Sequence, residues 1–349
     1  MDRPDRRRLR ALVPGLARPA VVAGLAAAWL IAAGTVAAAE SVPQPTPIDV
    51  LRDWSFDLSV QVPLLLTAAA YLYAVRRVNR AHPASPVPAS RSLAFLAGLA
   101  VIEFALQGVV GTYDDVVFAD HMIQHLLLMM VAAPLLVLGA PITLALRVAT
   151  PTFRRRWLLP VLHSRPVEWL SHPLVAWLLF AGSLWGTHFS GIYELALTNG
   201  TVHDAEHLEL LLAALLFWWP MLGRDPSRWR LGYPVRLVLM LLQMVQGSWL
   251  GVAILNSQTP LYAHYVDVHL GWITPLADQQ TAGAIMWIAG DVGFLIFTLI
   301  VLADWMRAER AATARLDARL DREQRLREAL DPDGAAGPSG GARDGLEIR

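Results

Sequence analysis

The stretch H-M-I-Q-H-L-L-L-M-M-V-A-A-P-L-L-V-L-G, residues 121–139, decides the fold. It contains no Asp, Glu or Arg, and from Leu126 onward it is apolar throughout. A helix crosses a bilayer with about 20 mostly apolar residues, and this stretch has that length. It lacks the period-2 alternation of an outer-membrane barrel strand. Comparable runs lie near 19–39, 57–75, 92–110, 170–188, 205–222, 235–256 and 282–303. The pattern predicts an all-α, polytopic transmembrane helical bundle of about seven core spans plus an N-terminal span or signal peptide.

Composition agrees. Of 349 residues, 55% are hydrophobic and only 17% charged, with a mean hydropathy of +0.42; soluble domains carry about 25% charge. Basic and acidic residues tie at 29 each, which excludes nucleic-acid binding through bulk charge. Every basic residue is Arg, so Schiff-base and P-loop Lys chemistry is excluded. Without Cys there are no disulfides, thiolate metal sites, iron–sulfur clusters or thiol nucleophiles.

Arg placement sets the expected orientation, because cytoplasmic loops near membrane ends carry excess positive charge. Arg76, Arg77, Arg80 and Arg91 flank one link, Arg147, Arg154, Arg155, Arg156 and Arg165 another, and Arg224, Arg228, Arg230 and Arg236 a third. The alternate links 111–120, 189–202 and 257–280 have no Arg, and 40–56 has only Arg52. These Arg-free links are expected outside and the C-terminus in the cytoplasm. Residues 1–40 read as either a cleaved signal, with Ala37, Ala38 and Ala39 before Glu40, or a retained first helix. The bundle proper covers 41–304. Residues 305–330 read as a cytoplasmic amphipathic helix, with Leu316, Leu320, Leu326 and Leu330 loosely on one face. This is either a solvated stalk or a partner-binding helix. The segment 331–349 reads as disordered.

The histidines are the main source of chemistry. His121 and His125 open one run, His203 and His207 open another as H-D-A-E-H, and His188 ends the run between them. Residues four apart share a helix face, and Met129 continues the His121–His125 stripe. His264 and His269 lie in the long outer link, so only His82, His163 and His172 fall toward the cytoplasm. Imidazole is the commonest metal ligand, and two pairs at one depth with His188 between them can converge on one ion. Imidazole with a nearby thioether suits copper. Glu206, Asp278 and other outer carboxylates can orient imidazoles or gather cations. Taken singly, each His also fits an ordinary interfacial polar role, and Met129 fits core packing. Bis-His haem is a competing use of the same residues, and Glu103 and Asp291 within spans admit an ion path or a paired structural role. A structural scaffold with hydrogen-bonded His also fits.

Three motifs carry a family resemblance. H-M-I-Q-H-L-L-L-M at 121–129, H-D-A-E-H-L-E-L at 203–210 with F-W-W-P at 217–220, and P-L-A-D-Q-Q-T-A-G-A-I-M-W at 275–287 resemble signatures of the CtaG-type cytochrome c oxidase assembly factors. The likeness runs from about residue 50 to 303. It implies a multi-pass protein of the bacterial cytoplasmic membrane that is not an enzyme. It also implies a requirement for active haem–copper oxidase, copper as cargo, an oxidase subunit as partner and a possible copper chaperone as donor. The motif positions that carry over are His121, His125, His203, His207 and the Asp278-Gln279-Gln280 run, with His188 fitting the pattern. Glu206, Asp278 and Gln279 are expected beside the ligands rather than on the metal.

Overall fold

The computed structural model describes residues 52–268 and 270–330, with Gln44 and Thr46. The expected N-terminal span or signal, the expected tail and His269 lie outside the described residues. Among the described residues there are no strands. Six helical stretches are long and apolar enough to cross a membrane, so the chain is an all-α polytopic protein. They are α1 (Leu58–Ala81), α2 with its short continuation α3 (Ala89–Gln107, Val109–Tyr113), the segmented span 118–148, α9 (Gly200–Leu222), α10 (Tyr233–Leu255) and α12 (Pro275–Leu330). The span 118–148 divides into α4 (Phe118–Leu126), a π-helical turn (Leu127–Ala132), α5 (Ala133–Leu138) and α6 (Pro141–Val148). The remaining expected run, 170–188, gives α7 (Pro173–His188), only 16 residues long. At 1.5 Å per residue it reaches about 24 Å, less than the roughly 30 Å hydrocarbon core. Pro173 starts it and Phe189 ends it. It packs within the bundle against α9 and α10. The short helices α8 (Gly191–Thr198) and α11 (Ala263–Asp267) sit in the Arg-free links.

The span 118–148 is held at two places by aspartates from elsewhere. Asp278 accepts from the Phe118 and Ala119 N–H groups at 2.7 and 3.0 Å. Asp225 accepts from Ile142 and Thr143 N–H at 3.0 and 2.7 Å, capping α6. Both satisfy backbone donors that a helix start leaves open. Between them the chain breaks at Ala140, whose φ of 50° is left-handed, a costly conformation for a residue with a Cβ. Neighbours fix the break: Tyr71 donates its hydroxyl to the Gly139 carbonyl at 2.8 Å and stacks on Phe95 at 3.9 Å. A Cβ on Gly139 would lie 2.7 Å from the Phe95 Cβ.

Lipid tails are as apolar as Leu, so these helices associate through close packing and hydrogen bonds. Phe95, Leu99, Ile102, Leu128, Ala132 and Leu136 make one packed seam. Trp218 fills another, stacked on Phe294 at 5.5 Å and donating its indole N–H to the Met129 carbonyl at 2.9 Å. Helices α10 and α12 meet backbone to backbone: a Cβ on Gly283 would lie 2.6 Å from Leu255 N and 2.8 Å from Gly251 O. The bundle forms one compact unit through Thr298, and residues from Leu299 onward form a second. In that second unit, residues 299–330 are helical and mostly exposed, with ion pairs Asp304–Arg307 at 2.6 Å and Arg319–Glu323 at 2.8 Å.

Candidate metal centre

Helix direction puts His121 and His125 in the first turns of α4, His203 and His207 in the first turns of α9, and His188 at the last residue of α7. All five therefore fall at one end of the bundle. The Arg-bearing links join the opposite ends of the same helices. The structure brings the five imidazoles together. Ring centroids are 4.3 Å apart for His121–His125, 4.2 Å for His203–His207, 5.1 Å for His121–His203, 5.5 Å for His125–His207 and 6.0 Å for His125–His188. His121, His125, His188 and His207 are all buried.

Their hydrogen-bond accounting is incomplete. His121 Nε2 lies 2.9 Å from His125 Nε2, but His121 Nδ1, His125 Nδ1, His203 Nε2 and His207 Nε2 have no partner. Both Glu206 carboxylate oxygens are also buried without a hydrogen bond, one of them 3.8 Å from His125 Nε2. Leaving such a group unsatisfied costs roughly 1–3 kcal/mol. Two donor sets stand out, His121, His203 and His207, and His121, His125 and Glu206. Within each set the ligand atoms lie within 4.8 Å of one another. Glu206, expected beside the ligands, therefore belongs to a potential ligand set.

His188 is anchored through one ring nitrogen. Its Nδ1–H donates to the Leu184 carbonyl at 2.8 Å. This fixes the tautomer and leaves the Nε2 lone pair free, the usual arrangement behind a metal-bound imidazole. That lone pair faces the Met122 sulfur at 3.4 Å. Two acceptors thus meet with no proton between them. Met122 supplies the thioether at the cluster. Met129 is buried in the π-helical turn Leu127–Ala132, and its carbonyl accepts from the Trp218 indole N–H. Asp278 borders α4 as its cap. Gln279 Oε1 accepts from Leu261 N–H at 2.6 Å and its Nε2 donates to the Thr259 carbonyl at 3.3 Å, tying down the link that follows α10.

That link folds over the cluster. Tyr262 donates to the His188 carbonyl at 3.0 Å and Tyr265 to the Asp114 carbonyl at 2.9 Å. Tyr193, from α8, is fully buried, 5.0 Å from His121 and 5.3 Å from His188 between ring centroids. Its hydroxyl lies 3.4 Å from that of Tyr265. Asp114 comes within 3.8 Å of His203 Nε2 and accepts from Gln124 at 2.6 Å. Burial pushes its carboxyl well above the usual range, Asp115 adds to the rise, and the Gln124 hydrogen bond opposes it. Sequence reasoning singled out neither the tyrosines nor Met122. The three-residue spacing of Tyr262 and Tyr265 was the available signal. His264 stands outside the cluster and donates to the Asp115 carbonyl at 2.7 Å. Glu103 and Asp291, the groups of the expected ion path, have partners. Gln61 donates to Glu103 at 3.4 Å, and Ser248 to both Asp291 oxygens at 2.8 and 2.9 Å.

Fold and site together define a polytopic helical membrane protein with a buried, aromatic-capped histidine cluster. The family model for the cytochrome c oxidase caa3 assembly factor (Caa3_CtaG) matches residues 69–308, and the chain belongs to that family. It is similar to uncharacterized proteins of Mycobacterium bovis and Mycobacterium tuberculosis, each 32% identical over 289 residues, covering 80% of this chain and 43% of the relative. An uncharacterized protein of Mycobacterium leprae is 31% identical over 288 residues, covering 79% and 43%. The chain thus spans less than half the length of the curated relatives it matches. No solved structure matches it significantly.

Proposed function

We propose that this chain binds copper on the outer side of a bacterial cytoplasmic membrane and passes it to a subunit of haem–copper cytochrome c oxidase during assembly. The observation that carries this reading is the convergence of four buried imidazoles, the half-buried His203 and Glu206, with a polar atom of His121, His125, His203, His207 and Glu206 left without a hydrogen-bond partner. Imidazole with the Met122 thioether favours copper over the hard cations. Family membership supplies the oxidase as client. The Arg-rich links at the far end of the bundle support an outward-facing cluster with a cytoplasmic C-terminus. A periplasmic copper chaperone is the natural donor. The protein makes and breaks no covalent bond of its cargo, so its role is carriage rather than catalysis. Ring-to-ring contact among the imidazoles leaves no slot for a flat macrocycle, which weighs against haem. The partners found for Glu103 and Asp291 weigh against an ion path.

The test is complementation of a strain that lacks the protein. The variant His125→Ala with His207→Ala should accumulate to the parent level yet yield oxidase depleted in copper and activity. Oxidase with full copper content from that strain would overturn the proposal.

A further inference from the structure

The donors at the cluster exceed the needs of one ion. Five imidazoles, Glu206 and the Met122 thioether lie together, whereas one transition-metal ion bound by such ligands takes about four. The donors also form two overlapping sets that share His121. His121, His203 and His207 form one close set, and His121, His125 and Glu206 the other. A carboxylate stands by each: Asp114 is 3.8 Å from His203 Nε2, and Glu206 is 3.8 Å from His125 Nε2. The two sets differ in access. The His203 side chain is 18% exposed, while those of His125 and Glu206 are 2% and 1% exposed.

We propose that the cluster holds two monovalent copper ions. The outer position is at His121, His203 and His207 facing Asp114, and the inner position is at His121, His125 and Glu206 beside the His188–Met122 pair. The proposal rests on the copper reading above and adds stoichiometry, oxidation state and order of filling. Charge argues for the monovalent ion, because a buried cation needs a counter-charge and each position has one carboxylate. Two Cu(I) ions would balance Asp114 and Glu206, whereas two divalent ions would leave uncompensated charge in a dry site. Cu(I) accepts two or three ligands, so His121 serves one ion at a time. The His188–Met122 contact, a lone pair facing a thioether, adds soft donors beside the inner position. Repulsion between neighbouring cations keeps either from being held too firmly, the principle by which multi-site channels release ions. A carrier needs that property. Filling begins at the exposed His203 side.

The experiment is an anaerobic titration of the full-length chain in detergent with Cu(I) alone, read against a colorimetric Cu(I) chelator. The parent should bind two equivalents. His203→Asn with His207→Asn should bind one, and so should Glu206→Gln with His125→Asn, each melting near the parent temperature to show an intact fold. A parent that saturates at one equivalent overturns the two-ion proposal and leaves the copper reading standing. So does loss of all binding in either folded double variant. A parent that binds no Cu(I) removes both.

Discussion

At the scale of single residues, the account turns on side chains that are buried without partners and on those that hold them in place. Asp278 is the clearest positioning residue. It meets two N–H groups at the start of α4, three residues before His121. Replacing a capping side chain by Ala costs about 0.5–2 kcal/mol, so Asp278→Ala should lower unfolding stability in detergent by about 1–2 kcal/mol and weaken copper binding through misplacement of His121. Asp278→Asn, which keeps an acceptor oxygen, should lose less. Parent-like melting and parent-like copper affinity in Asp278→Ala would show that the cap does not position the site. The five histidines were legible in sequence because the i, i+4 spacing and the span boundaries are both local signals. Met122 was not legible in the same way: it is one residue from His121, off the i, i+4 face, and meets the cluster through His188 on another helix. The tyrosines were illegible for another reason. Tyr193, Tyr262 and Tyr265 reach the cluster through tertiary folding of links, and the three-residue spacing of Tyr262 and Tyr265 does not say what they fold against.

At the scale of elements, the hydrophobic runs located the spans, and the structure moved their ends. Helix α9 begins at Gly200, not near 205, because Asn199 caps it, accepting from Thr201 and Val202 N–H at 3.1 and 3.3 Å. The run 170–188 gives a helix of only 16 residues that begins at Pro173, a shortening that apolar content alone does not reveal. The close approach of α10 and α12 was likewise invisible, since it depends on which glycines face each other. Gly251 and Gly283 allow backbone contact there, and Ser248 with Asp291 fastens the same pair of helices. Added volume in a tight contact costs about 1–3 kcal/mol. Gly283→Val should therefore destabilise the bundle by that order and loosen the start of α12, where Asp278 and Gln279 act. A thermal unfolding curve unchanged from the parent would contradict this packing. Along 305–330, Leu316, Leu320, Leu326 and Leu330 are all exposed. We expect truncation after Leu330 to leave oxidase maturation intact. Lost maturation at normal protein level would assign the removed segment a role.

At the scale of the whole molecule, the two ends of the bundle differ in their chemistry. Connectivity gathers the His-bearing helix ends at one end and the Arg-rich links at the other, and the positive-inside rule supports the proposed outward-facing cluster. Reporter fusions at Ser257 and Ser227 should report opposite sides of the membrane, with Ser257 outside. The same side for both would contradict the orientation. Family membership and fold class were readable from three motifs and the hydropathy pattern, because both are written in contiguous sequence. The closure of the site by its outer link was not, because it joins residues far apart in the chain. The central claim is that these imidazoles are copper ligands, and the most direct measurement is copper X-ray absorption on the purified, Cu(I)-loaded chain. The account predicts imidazole scattering at about 2.0 Å in the parent, and its loss in His125→Ala with His207→Ala. Copper retained in the double variant with an unchanged imidazole signal, or copper in the parent without imidazole ligation, would contradict it.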